Sequence, residues 1–412
     1  MNKKRFIVPL VIVLGIAIYV VFYHKDKTLK FVPKDADVVV IIDVKKLTRQ
    51  YVSSFIMYPS QWFGSEQTHE DGISLQDSGM KIPDFLQIFH VKNSKFSNWY
   101  SVVKLKDQQK FLTFLKKQRF INKGRDLFQK DRFFIKIEGN HCILGTSNLD
   151  FESIQDQLFH SSGQHVFNAN QFIENTTGSI SFISGSKIQN FSIELNADDI
   201  EIKNRSNSEN FNSILSKLEQ KNSFLEMELD AQNIKKYTSF FNKSIADSSQ
   251  INYVKASVEL EQVSDTILSY GYDDNFNEIE KKTYQKIVQP NYVINLQSTV
   301  PETTWQYFLH RKWINAQNQF TIIPFQPNSI AETKNGFEIK STRKSVHPSP
   351  NLKENYIFVR NSVLLSSSLS TLTDTEKNMI SNLDYIFYGN KGQDYYIKCK
   401  AKKENLPLIL RW

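Results

Sequence analysis

The chain has 412 residues, 40% of them hydrophobic, and a formal net charge of +8 from 51 basic and 43 acidic side chains. With a mean hydropathy of -0.41, this composition excludes a broadly disordered polymer and leaves room for two ordinary domains or one large one. The two cysteines, Cys142 and Cys399, allow one disulfide at most, and their apolar strand-like surroundings equally suit two buried thiols.

The chain opens on Lys3-Lys4-Arg5 followed by an uninterrupted apolar run, Phe6 to Tyr23. As a helix this run would rise about 27 Å, close to the hydrocarbon thickness of a bilayer. The exit Val20-Val21-Phe22-Tyr23-His24 is bulky throughout, which favours an uncleaved anchor over a removed signal peptide. The preceding positive charges place the amino terminus in the cytoplasm and the bulk of the chain outside it, at the inner membrane.

After a linker, Phe31 to Asp37 reads as a turn and Val38 to Ile42 as a buried strand ending at Asp43, a helix cap. Leu47, Tyr51, Phe55 and Met57 then fall roughly on one helical face. Residues 59–80 read mostly as loop. Phe85 to Val91 and Trp99 to Leu105 predict a hairpin, and Asp107 caps a helix carrying Phe111, Phe114 and Leu115. Phe133 to Glu138 and Cys142 to Gly145 form a second hairpin about Gly139-Asn140, with a helix over 149–159.

A similar order returns later. Phe224 to Leu229 is a strand ended by Asp230, and a helix with Ile234 and Tyr237 follows. Val293 to Leu296 precedes a helix starting at Pro301. The segment 132–149 has a counterpart in 355–372, a hairpin turning at Asn361. Further strands are expected at 179–184, 191–203, 252–261, 265–272, 384–389, 394–401 and 406–411. Together these predict an α+β fold: a cytoplasmic tail (1–5), a transmembrane helix (6–23), a linker (24–30) and two related halves, 31–175 and 176–412. Each half is expected to be an antiparallel sheet with helices packed on one face.

Val32-Pro33-Lys34-Asp35-Ala36-Asp37-Val38-Val39-Val40, directly after the apolar run, resembles the opening of a group of bacterial membrane-anchored envelope proteins of unknown function. The likeness continues through Asp71-Gly72-Ile73-Ser74-Leu75, Tyr100 to Asp107 and the Gly139-Asn140…Leu144-Gly145-Thr146-Ser147 hairpin, covering mainly residues 1–160. The resemblance implies an extracytoplasmic position and a mixed α/β body, and it carries no catalytic residues.

The search for chemistry is largely negative. Nucleotide-binding loops and the zincin motif are absent from the sequence. Gly178-Ser179-Ile180-Ser181-Phe182 lacks the second glycine of a nucleophile elbow. Asp273-Asp274-Asn275-Phe276-Asn277-Glu278 spaces oxygen ligands like a calcium loop, but Glu278 replaces the turn glycine and Tyr284 the closing carboxylate, so a solvated acidic turn is expected. His160 and His165, and His141 beside Cys142, lack metal-ligand spacing. No catalytic, cofactor-binding or metal residue is therefore assigned.

One charge feature stands out. Lys104, Lys106, Lys110, Lys116, Lys117, Arg119, Lys123, Arg125, Lys130, Arg132 and Lys136 are opposed only by Asp107, Asp126 and Asp131. These eleven bases against three acids give a local excess of +8. The patch reads either as a solvated basic helix and loop or as a surface for an anionic lipid, an acidic envelope polymer or another envelope protein. Nucleic acid is disfavoured, since the patch faces away from the cytoplasm. The expected role is a non-enzymatic binding or scaffold component of the bacterial envelope. The alternatives are an envelope hydrolase with a site assembled from distant residues and a lipid-handling protein.

Overall fold

The structure is a computed structural model that describes residues 19, 23–58, 78–160, 166–204, 209–240, 250–323, 328–348, 354–362, 364, 377, 380–404 and 406–411. Contacts divide the chain into two compact units, residues 1–204 with 404–412, and residues 205–403.

In the first unit, β1 (Thr28–Leu29) pairs with β9 (Phe167–Asn168) apart from the main sheet. β2 (Ala36–Asp43) is a β-branched run and runs into α1 (Val44–Met57). The Asp43 side chain makes the junction by accepting the Lys46 amide at 2.8 Å, which satisfies one of the orphan N–H groups of the first turn. β3 (Phe85–Val91) and β4 (Tyr100–Lys104) follow, then α2 (Gln108–Lys117), capped by Asp107 at 3.0 Å. Two hairpins come next, β5 (Ile121–Gly124) with β6 (Leu127–Lys130) and β7 (Phe133–Glu138) with β8 (His141–Gly145). After the short α3 (Phe151–Gln155) the chain closes the sheet with β10 (Gly178–Ser184), β11 (Lys187–Leu195) and β12 (Asp199–Lys203). The strand order is β12-β11-β10-β2-β3-β4-β8-β7-β6-β5, antiparallel throughout.

Strand alternation sends neighbouring side chains to opposite faces, and both faces of this sheet are covered. Cys142 joins Phe111 and Leu115 of α2 on one side, whereas Ile143 joins Phe151 and Ile154 of α3 on the other. Phe111 and Leu115, four residues apart on a helix, are both essentially inaccessible and each contributes roughly 1.5–3 kcal/mol of burial. Residues 406–411 return to this unit. Leu408 is buried, its amide donates to the Ala197 carbonyl, and Arg411 pairs with Asp198 at 2.8 Å.

The second unit contains α4 (Glu209–Glu219), β13 (Leu225–Asp230), α5 (Ala231–Phe240), β14 (Ile251–Tyr272), β15 (Glu278–Ser298) and α6 (Pro301–His310). It continues with β16 (Asn328–Thr333), β17 (Gly336–Ser341), β18 (Asn355–Arg360), β19 (Leu383–Lys391) and β20 (Asp394–Ala401). Its antiparallel strand order is β20-β19-β18-β13-β14-β15-β17-β16. Phe211, Ile214, Leu215 and Leu218 of α4 pack with Tyr356, Phe358, Tyr385, Phe387 and Tyr396, and Phe308 of α6 packs with Phe320 and Phe337.

The two units share one connectivity. A middle strand ends in an aspartate cap and a helix (β2 or β13), then an antiparallel pair (β3–β4 or β14–β15), then a second helix. A hairpin docks its second strand on that pair (β8 on β4, β17 on β15), and the next strand returns to the other edge of the first (β10 on β2, β18 on β13). Asp230 repeats the cap of Asp43 by accepting the Asn233 amide at 2.9 Å. The first unit carries the β5–β6 hairpin as an addition.

Several expectations are corrected. The α+β class gives way to a mostly β chain, 47% strand and 22% helix, and the helices of the first unit lie on both sheet faces rather than one. Among the described residues no helix is long and apolar enough to cross a membrane; the expected span over 6–23 lies outside them except for Tyr19 and Tyr23. Of the hairpin expected over 355–372, the second arm lies outside the described residues except for Ser362 and Leu364. β18 pairs with β13 and β19, and the Asn361 amide group donates to the Ile380 and Leu383 carbonyls. The predicted strand at 406–411 is a turn of 3-10 helix entered from Pro407, because Arg411 folds back to donate to the Leu406 carbonyl at 2.7 Å.

Candidate functional site

A cleft of about 400 Å³ opens in the first unit between residues 26–31, residues 81–87 and the strands β4 and β8. Its floor is apolar and aromatic, from Phe31, Ile82, Pro83, Val102 and Phe159, and its charged walls come from Asp26, Lys30, Lys81, Asp84 and Lys104. His141 is among its lining residues. Because Cys142 turns into the α2-side core, strand alternation turns His141 the other way. There its ring lies 4.9 Å from Phe159 in a stacked arrangement and 5.4 Å from Phe31 edge-on.

The electrostatics of the cleft are lopsided. Burial, reinforced by the Lys104 ammonium, lowers the His141 pKa below the ordinary imidazole value, so the ring is neutral at physiological pH. Both acids are engaged within the protein. Asp84 pairs with Lys45 at 3.2 Å and accepts the Asp26 amide at 2.8 Å. Asp26 accepts hydrogen bonds from Thr28, which hold its carboxyl below the usual range. Among the described residues Lys30, Lys81 and Lys104 form no ion pair. Lys30 also lines a second, adjoining cleft of about 930 Å³ with Lys34, Lys92, Asp35 and Asp37 in its walls. Five lysines therefore border two clefts that share Lys30.

This arrangement sets cations over an apolar floor, and neither a serine nor a cysteine is among the residues lining the smaller cleft. One Ser/His/Asp grouping does occur elsewhere. His90 Nδ1 lies 2.6 Å from Asp37, and its Nε2 lies 3.2 Å from Ser94 Oγ. Nε2 also faces the Lys95 carbonyl at 3.1 Å, an acceptor only, while the Ser94 hydroxyl donates to the Val91 carbonyl at 2.8 Å. The Ser94 proton is engaged by a carbonyl and Nε2 faces a second acceptor, so the grouping lacks the serine-to-imidazole hydrogen bond of a triad. The ring is buried beside Phe96 and Trp99 and ties the β3–β4 connection to β2.

Of the basic patch read from the sequence, only Lys104 lines the cleft. Lys106 and Lys110 sit at the start of α2, Lys116 and Lys117 in its last turn, and Arg119 follows with a positive φ of 62°. Lys123 lies on β5, Arg125 in the turn after it, Lys130 at the end of β6, and Arg132 between β6 and β7. All of these are exposed except the half-buried Lys130. Lys30 and Lys81 belong to the cleft but were not readable from that run, because tertiary folding brings them to Lys104 from distant segments.

The remaining candidates resolve as local structure. Asp273 accepts from the Asn275 and Asn277 amides and from Asn277 Nδ2 at 2.8–3.1 Å, so its carboxylate folds its own turn. Gly178 to Phe182 lies within β10, bonded on both sides, and makes no elbow. His160 meets Asp156 one helical turn away at 3.1 Å, and His165 lies outside the described residues. Among the described residues no three His, Cys, Asp or Glu side chains gather as a metal site, and both cysteines are free thiols. No family model, no curated protein and no solved structure matches this chain.

Proposed function

We propose that this protein is a non-enzymatic binding component of a bacterial cell envelope, held at the membrane by the apolar run 6–23, that takes an anionic, partly apolar partner in the clefts of its first unit. The observation that carries the reading is the set of ammonium groups without an ion pair among the described residues, Lys30, Lys81 and Lys104, around an aromatic floor. Cations above an apolar surface match a ligand with phosphate or carboxylate groups and a hydrocarbon or sugar body, such as a lipid headgroup or an envelope polymer. The resemblance of the amino-terminal region to envelope proteins supports the same compartment.

The test is titration of the full-length chain in neutral detergent with phosphatidylglycerol micelles in one arm and a polyglycerol phosphate chain in the other. Binding in either arm is expected to fall about 100-fold in the combined Lys30→Gln, Lys81→Gln, Lys104→Gln variant, at about 1 kcal/mol per lysine. Equal affinity of variant and parent in both arms, or turnover of either ligand, overturns the reading.

A further inference from the structure

β13 pairs with β14 only from Tyr253 to Val258, and β17 pairs with β15 only from Val293 to Gln297. Just past these points Ser341, Arg343 and Lys344 still reach Tyr292, Gln289, Glu261 and Glu259, and from Ser264 outward β14 pairs only with β15, as far as Tyr272 and Glu278. The last nine residues of β14, 264–272, make about 30 Å of two-stranded ribbon. Register places Leu268, Tyr270, Tyr272 and, opposite Thr266, Tyr284 on one face of it. All four are at least half exposed, and Phe276 at the tip is 86% exposed. The edges are unlike. The free edge of β15 is guarded by Glu278, Glu280, Lys281, Lys282 and Lys286, whereas that of β14 from Ser264 to Tyr272 has one charge, Asp265, and neither lysine nor proline. Natural sheets block such an edge unless something pairs with it.

The charge of the tip selects its occupant. Residues 273–280 carry Asp273, Asp274, Glu278 and Glu280 with no base, whereas residues 116–130 carry six bases against Asp126 alone. That basic segment includes β5, which pairs only with β6 and is exposed along its whole length. Its first residue, Ile121, is 62% exposed, and Phe133, on β7 across β6, is 54% exposed. We infer that the β14–β15 ribbon of one molecule docks its acidic, tyrosine-faced end on the basic outer hairpin, β5–β6, of a second copy of this chain. Such a contact joins two different surfaces, so it propagates head to tail into a ring or a filament. Lys282 pairs with Glu280 at 3.1 Å, so Asp273, Asp274 and Glu278 carry the negative charge of the tip.

The experiment uses full-length chain in neutral detergent, followed by analytical ultracentrifugation at low and high salt. Self-association is expected at low salt and at least tenfold weaker at high salt. Asp274→Lys, Glu278→Lys and Glu280→Lys together are expected to abolish it, as are Lys117→Glu, Lys123→Glu and Arg125→Glu together. All six positions are exposed, so each variant keeps the parental thermal midpoint. Mixing the two charge-reversed variants, each with its own tag, restores association, because the intact ribbon of one meets the intact hairpin of the other and reversed ribbon meets reversed hairpin. A parent that stays monomeric at low salt, association indifferent to salt, or charge-swapped partners that fail to recombine would each overturn the proposal.

Discussion

Lys104 and His141 face each other across β4 and β8 as directly paired residues, and burial together with the ammonium keeps the imidazole in its neutral form. Removing that charge in Lys104→Gln is expected to move the His141 pKa back toward the ordinary value, read from its ring resonances in an NMR titration. The sign for stability follows from linkage. A histidine with a depressed folded pKa contributes stability that is present above about pH 6.5, its unfolded value, and lost as pH falls through the folded one. Urea midpoints should therefore decline on acidification through that window, less steeply in the variant. An unchanged His141 titration in Lys104→Gln would remove the lysine from the account.

Burial pushes the Cys142 thiol up to about 12 and raises that of Cys399 as well. The reactive thiolate is therefore scarce at neutral pH. Thiol-specific reagents are expected to modify Cys142 negligibly in the native protein and to modify both cysteines once guanidinium unfolds it. A native protein in which Cys142 reacts as fast as free cysteine would show that the α2-side core is open.

The two aspartate caps differ in their surroundings. Asp43 is 4% exposed, caps α1 and also pairs with Lys25, so Asp43→Ala leaves both an uncapped helix and a half-buried ammonium. About 2 kcal/mol of destabilisation is expected. Asp230→Ala, at an exposed position, should cost about 1 kcal/mol. Chemical denaturation of both variants checks the ordering, and equal losses would mean that the Lys25 pair contributes nothing.

Phe308 is 1% exposed and its ring meets Trp313, Phe320 and Phe337 at 5.3–6.2 Å. Phe308→Ala is expected to cost 3–5 kcal/mol, the range for emptying an aromatic core site. The loss should appear in the transition of the second unit, followed through its tryptophan fluorescence.

Local grammar was the legible part of this fold. Asp43 and Asp107 announce their helices, Gly139-Asn140 announces its hairpin, and Pro301 opens α6, because caps and turns are satisfied by neighbours in sequence. The distal half of β15, Glu278 to Lys286, hid its identity. A strand with no buried face has no reason to alternate apolar and polar residues, so EIEKKTYQK reads as a solvated loop. The α4 stripe Phe211, Ile214, Leu215 and Leu218 has helical spacing and is legible in the sequence alone. At the site, Lys104 and His141 could be singled out from sequence. Their convergence with Lys30, Lys81 and Phe159 could not, since it is set by long-range strand pairing alone.

The return of residues 406–411 to the first unit has a consequence for biogenesis. Leu408 fills its place against Ala197 only after the ribosome has made all of the second unit, which is in effect an insertion within the first. Translation that stops after residue 403 would leave Asp198 without Arg411 and the Leu408 seat empty. The nascent first unit therefore waits, incompletely latched, for most of the time the polypeptide takes to be synthesised.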